Sequence, residues 1–298
     1  MRLLVLATLP MALLLFLALV ASLLGYGMLI IAGDVLPLAK LISKLTLILL
    51  LISIFPLKRY LQLSWLDFGF APKAQFFKQF AQGLGLGVVT LLPVLVTLYG
   101  LDVHVWDETR SWSIGKVAEK VGLGLFFAML IGLGEELLFR GLLLTSLRRK
   151  MPLVAAIAIS SLYYAALHFL KSKSHIAFAD ISSSSGLRLM VEAFANWLNP
   201  EILSALVALF VVGVFLAAVR TQMPQSIGLC MGCHAGWVWL IKVSKDLFNV
   251  NPQSDYLFLV SDYDGVIGPF VSVWLALALL VFYAWPKSKA DMGYGSVA

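Results

Sequence analysis

Charged side chains are scarce in this chain. Asp, Glu, Lys and Arg make up 13% of its 298 residues, against about 25% in ordinary soluble domains. Cysteine is rarer still: Cys230 and Cys233 are the only two, too few for a disulfide framework. There is no long basic patch. The net charge of +6 is scattered among short loops, which points to membrane topology and away from nucleic acid as a partner. No internal repeat is evident, and the one low-complexity tract is Ser182–Ser185, read as loop. A cleavage site is also missing at the start. After Arg2 the apolar run continues with no Ala-x-Ala signal, so it reads as an uncleaved first span and not as a signal peptide.

What is abundant is apolar surface. Hydrophobic residues are 61% of the chain, the mean hydropathy is +0.94, and apolar runs of about 17–25 residues, each long enough to cross a bilayer core, recur from end to end. The expected fold is an all-α, polytopic integral membrane protein with about eight transmembrane helices, surrounded by membrane lipid. It forms one membrane domain over 1–298. Within it, 1–120 holds spans one to three with their links, 121–243 is the core, and 244–298 is the last link and span. The spans fall near Leu3–Ala32, Leu38–Leu57, Leu84–Leu101, Val121–Leu147, Pro152–Leu170, Ile202–Val219, Pro224–Val243 and Val266–Trp285. Gly83, Gly85 and Gly87 would let another helix approach the third span, and Gly228, Gly232, Cys233 and Gly236 do the same for the seventh. Trp65–Phe70 reads as an interfacial aromatic stretch, and an amphipathic piece is expected around Leu187–Leu198. His104 and His175 sit in links and are expected to be solvated.

Eight spans put both termini on one side. That side has 11 Lys and Arg against 10 on the other, but 2 acids against 12. The dense basic clusters at Lys58/Arg59, Arg148–Lys150 and Lys287/Lys289 favour cytoplasmic termini.

Polar residues inside the spans form a short set: Glu135, Glu136, Arg140, His168 and His234. A charge at mid-membrane costs about 2.5–3.5 kcal/mol on insertion scales, so three in one span need partners or a task. Glu136 and Arg140 are four residues apart and share a helix face, so they can pair. Glu135 is turned about 100° away, which leaves one carboxylate available for chemistry. Counted from the cytoplasmic ends of their spans, Glu135, His168 and His234 lie at depths between roughly 15 and 24 Å, so one site can collect them. A carboxylate and two imidazoles can activate water, with the carboxylate as general base. They can equally supply a Glu and two His to a zinc ion. Spacing alone does not separate these. A buried structural ion cluster is the plainer alternative, but two acids against one base leave an excess charge that it does not explain.

The residues Glu135-Glu136-Leu-Leu-Phe-Arg140, then Tyr164-Ala-Ala-Leu-His168, then His234-Ala-Gly-Trp-Val238 resemble the CAAX protease and bacteriocin-processing family of intramembrane proteases. The resemblance covers about Val121 to Val243. It implies an endopeptidase acting on a protein or peptide substrate, with Glu135 as the base, His168 holding the water and His234 stabilising the oxyanion. It implies no required cofactor on the glutamate mechanism, and Glu136 with Arg140 as a structural pair. Two departures stand out. Val238 occupies a position where the family has Asn or Asp, and Tyr164 one where Phe is usual. Val238 favours two readings without proteolysis, a bacteriocin-immunity factor or a protein-sorting factor on the same scaffold. A proton-coupled transporter using a Glu/His relay is a further alternative.

Cys230-Met-Gly-Cys233-His234 also matches the c-type haem attachment pattern. That pattern needs an exposed segment, whereas this one lies mid-span, so haem is not expected. Cys230, one turn from His234, is expected to line the same pocket.

Overall fold

The computed structural model describes residues 2–34, 36–223 and 225–284. Pro224, Trp285, Lys287 and Lys289, which figure in the expected spans and charge pattern, lie outside the described residues, as does the side chain of Arg2.

Each expected apolar segment contains a helix, although Pro152, His168–Leu170, Gln225–Ser226 and Val266–Gly268 fall outside one. The helices are α1 (Arg2–Ala32), α2 (Leu38–Tyr60), α3 (Lys73–Gly100) and α4 (Ile114–Glu136). A π-helical turn (Leu137–Leu143) then leads into α5 (Leu144–Arg148). After it come α6 (Leu153–Leu167), the amphipathic α7 (Ser185–Ala195), α8 (Leu203–Gln222), α9 (Ile227–Leu247) and α10 (Pro269–Ala284). Among the described residues, six helical stretches are long and apolar enough to cross a membrane, α4 to α5 counting as one. The protein is therefore a multi-pass integral membrane protein. The fifth and eighth expected spans are shorter: α6 has 15 residues and α10 has 16. At about 1.5 Å per residue each falls several ångströms short of a ~30 Å hydrocarbon core. His168 accordingly caps α6 and does not lie within it.

The links at each end of the bundle tie to one another. At one end, Arg149 reaches Asp67 at 3.2 Å and Leu61 O at 3.0 Å, and Arg220 donates to Asp67 O at 2.8 Å. At the other, strand β1 (His104–Trp106) pairs antiparallel with β2 (Phe248–Val250), in the register His104↔Val250. α3 and α9 thus run one way, and α4 with α5, and α8, run the other.

α9 is the most enclosed of the long helices, and its glycines explain how. A methyl on Gly232 would collide with Phe80 O, and one on Gly228 would lie 2.9 Å from Phe76 O. Opposite them, a methyl on Gly83 would collide with Leu229 O, and one on Gly87 would lie 2.5 Å from Cys233 O. The backbones of α3 and α9 meet along this seam because neither carries a side chain there. On its other flank α9 meets α4, where Gly132 faces Met231 O. Gly85 does not join the seam; it points outward with nothing near it.

Three link residues depart from expectation. His104 is buried, 4% exposed, because its Nε2 bonds Gly265 O at 2.8 Å and its ring stacks on Phe248. Phe68 is not interfacial: it is fully buried, its ring filling the space left by Gly141. Ser185 is the buried first residue of α7 and accepts a hydrogen bond from Ser182 N, so the serine run leads into a helix.

Candidate active site

α4 delivers two adjacent glutamates, and the chain then widens into the π turn. Such turns interrupt a helix at functional sites more often than elsewhere. Arg140, inside that turn, reaches back so that its Nη1 donates to Glu136 Oε1 at 2.8 Å, while its Nη2 donates to Gly213 O on α8 at 3.1 Å. Both side chains are buried, Glu136 at 0% and Arg140 at 1% exposure. His234 comes in from α9, its Nδ1 2.8 Å from the same Glu136 oxygen. A charge pair sealed this deeply needs further hydrogen bonds to offset its desolvation; Gly213 O and His234 supply two, while Glu136 Oε2 and Arg140 Nε have no partner among the described residues.

Glu135 faces the other way. Its side chain is 24% exposed, and its Oε2 lies 3.8 Å from both His168 Nε2 and His234 Nε2. That oxygen is itself buried and has no hydrogen-bond partner among the described residues.

The partners of the two imidazoles fix where their hydrogens sit. His168 Nδ1 lies 2.7 Å from Tyr164 O, a carbonyl that only accepts, so Nδ1 carries the hydrogen. His234 Nδ1 faces a carboxylate held by Arg140 and carries one for the same reason. In the neutral rings both Nε2 atoms are therefore acceptors. Three acceptors converge, and no protein donor stands between them.

Tyr164 packs among these groups. Its ring centroid is 4.7 Å from that of His168 and 5.9 Å from that of His234, and the Arg140 guanidinium lies over its face at 4.5 Å. Cys230 does not join them. It is fully buried, with Sγ turned to Leu216 O on α8 at 3.5 Å, because one turn along α9 already faces the core. Among the described residues, no group of three or more His, Cys, Asp or Glu side chains is gathered closely enough to hold a metal ion. A zinc site from Glu135, His168 and His234 is thus not preformed.

Two cavities meet at this cluster. One, about 620 Å³, runs between α3, α4, α8, α9 and α10, with His234, Val238 and Tyr164 on its wall and Lys120, Lys242 and Lys245 towards its mouth. The second, about 330 Å³, lies between α1, α2, α6 and α7 and is lined by Glu135. His168, Lys171 and Tyr263 line both.

Tyr263 and Lys171 carry no motif, and no sequence signal points to them; the link before α10 and the end of α6 bring them in. Burial, with Asp264 and Glu135 nearby, pushes the Tyr263 phenol above its ordinary value, so its hydroxyl keeps its proton at neutral pH.

Residues 117–240 match the family model described as type II CAAX prenyl endopeptidase Rce1-like. Over these residues, under half of its length, the chain is similar to that family. The matched segment contains Glu135, Glu136, Arg140, Tyr164, His168, His234 and Val238, and stops short of Tyr263. The matching family is described as one of endopeptidases. No curated protein and no solved structure matches the chain.

Proposed function

We propose that the protein is an intramembrane endopeptidase that hydrolyses a peptide bond in a membrane-associated protein or peptide, with Glu135 as general base. The observation that carries this is the buried, unpartnered Glu135 oxygen, 3.8 Å from two acceptor nitrogens. A gap of that size is bridged by one water, which can donate to Glu135 and to His168. Glu135 takes a proton as the water oxygen attacks the carbonyl carbon, and returns it to the amine nitrogen as the C–N bond breaks. This route needs no cofactor. His234, its Nδ1–H given to Glu136, donates from Nε2 to the oxyanion only when that nitrogen also carries a proton.

The cavity walls fit such a substrate: apolar along their length, with lysines at one mouth. With the termini in the cytoplasm, both mouths face the outside, and the substrate is an exported or surface-anchored protein. Reporter fusions after Lys150 and after Lys173 test that orientation.

The direct test is cleavage of a defined pool of lipid-anchored peptides by the protein reconstituted in phospholipid vesicles. We expect cleavage that survives a chelator and is lost in Glu135→Gln and His168→Ala. Cleavage by Glu135→Gln at the wild-type rate would rule the mechanism out.

One observation favours a second reading. Val238 lies on the cavity wall one turn beyond His234, where it offers no hydrogen bond. A non-proteolytic factor on the same scaffold predicts full complementation of a deletion phenotype by Glu135→Gln.

A further inference from the structure

Hydrolysis by this site requires a hydrogen bond to the oxygen that becomes negative, yet the cluster is short of donors. Glu135 and both Nε2 atoms accept. Arg140 gives Nη1 to Glu136 and Nη2 to Gly213 O; its Nε has no partner among the described residues, but it is buried and Arg140 lines neither cavity. On the wall of the larger cavity, the Thr90 hydroxyl donates to Leu86 O, and the Trp237 indole donates to Thr90 in turn. Val238 contributes only methyl groups. Lys171 is exposed, with its ammonium 5.3 Å from the Tyr263 ring centroid.

The Tyr164 hydroxyl is different. The residue is 2% exposed, lines the larger cavity, and among the described residues its hydroxyl has no hydrogen-bond partner. Nor is that oxygen among the buried polar atoms sealed off without a partner. The small part of Tyr164 that remains accessible therefore includes the hydroxyl, and it opens into the cavity. A phenol buried this far with an unused O–H is uncommon, because tyrosines placed in a core normally find a partner. Its ring is held in place by Phe139 at 5.2 Å, by both histidines, and by the Arg140 guanidinium. Tyr263 also lines the cavity, but its ring packs on Phe169 at 5.1 Å and, of the two histidines, meets only His168, at 6.4 Å.

We infer that Tyr164 is a further catalytic residue, whose hydroxyl donates a hydrogen bond to the oxyanion formed at the scissile carbonyl in place of the donor that Val238 cannot supply. The inference rests on the endopeptidase reading above. Tyr164 acts twice in this arrangement: its carbonyl orients His168, and its hydroxyl meets the substrate oxygen. Replacing the side chain by phenylalanine removes only the second role.

The test uses the reconstituted protein and the same peptide pool. If the wild type cuts nothing, or Glu135→Gln cuts as well as the wild type, the endopeptidase reading itself fails. Where the wild type cuts and Glu135→Gln does not, Tyr164→Phe is expected to lower kcat by about 10²–10³-fold, the range for losing one oxyanion donor, with KM unchanged. Adding Val238→Asn to Tyr164→Phe is expected to recover at least about tenfold of that loss, since an amide one turn from His234 restores a donor to the same wall. A Tyr164→Phe enzyme with wild-type kcat, or a loss that Val238→Asn leaves unrelieved, would overturn the assignment.

Discussion

The two sides of α4 differ more than any other pair of regions in the molecule. Towards α9 the packing is backbone against backbone at Gly132, and Glu136 is buried on that side with Arg140 and His234. Towards α1, α2 and α7 the contacts are looser, a cavity of about 330 Å³ remains, and Glu135 lines it. One residue of helical rotation separates these environments. Each carboxylate takes its character from the side it faces: one neutralised and sealed, the other only partly covered and without a donor. The proposed hydrolysis uses both, a packed wall that fixes imidazole geometry and an open wall that admits the chain to be cut.

The sharpest way to break that contrast is to exchange the roles of the glutamates. Glu135→Gln should lower kcat by about 10²–10⁴-fold, as expected for losing a general base, while the thermal midpoint stays close to that of the wild type. Glu136→Gln should do the opposite to stability. It leaves Arg140 buried without its counter-ion, a loss of roughly 3–5 kcal/mol, read as a fall in the unfolding midpoint in detergent. Equal effects of the two substitutions on both readouts would mean that the two sides are not distinct.

Next in size is the seam itself. Gly232→Ala sets a methyl against Phe80 O, where backbone must move, and should cost about 1–3 kcal/mol as overpacking does. Gly85→Ala, on the same helix as Gly83 but facing outward, meets no atom within 4 Å and should stabilise α3 by up to about 1 kcal/mol through helix propensity. Opposite signs at these two glycines, measured by denaturant unfolding, would locate the rigid wall at the seam between α3 and α9.

Much of this is legible in the chain. The spans follow from apolar length, and the Glu136–Arg140 pair follows from a four-residue step on a helix. The step of one residue that turns Glu135 away is equally plain. What is not legible comes from links. His104 sits in a polar stretch, and only the pairing of β1 with β2 and the carbonyl of Gly265 make burial tolerable. Tyr263 has no neighbours in sequence that announce a site, since the tertiary course of the link before α10 carries it to His168. Cys230 misled for a related reason. Four residues place it near the face of His234, but α9 is so enclosed that a small rotation moves a side chain from cavity to core.

The open side is tested by filling it. Ala193 on α7 lines the smaller cavity. Ala193→Leu should raise KM by roughly tenfold, the low end of what altered pocket contacts cost, while leaving kcat unchanged, because Glu135 and both histidines are untouched. If KM for every cleaved peptide is unaffected, the substrate does not use that side.

The smallest effect concerns the link that braces the packed side from below. Phe68 fills the space at Gly141 in the π turn, and Asp67 O receives both Arg220 and Thr145. The Asp67 carboxylate is held below its ordinary range first by hydrogen bonds from Ser64, with Arg149 adding to them and burial opposing. Since the folded value lies below the unfolded one of about 3.9, its contribution is fully present above that pH and disappears as pH falls through the folded value. The group is partly exposed, so the contribution is under about 1 kcal/mol. Asp67→Asn should therefore lower stability slightly at pH 7, and the gap to wild type should close in acid without affecting kcat at neutral pH. A gap that widened on acidification would show that this link binds a protonated carboxyl instead, and that the packed side is braced by something other than Asp67.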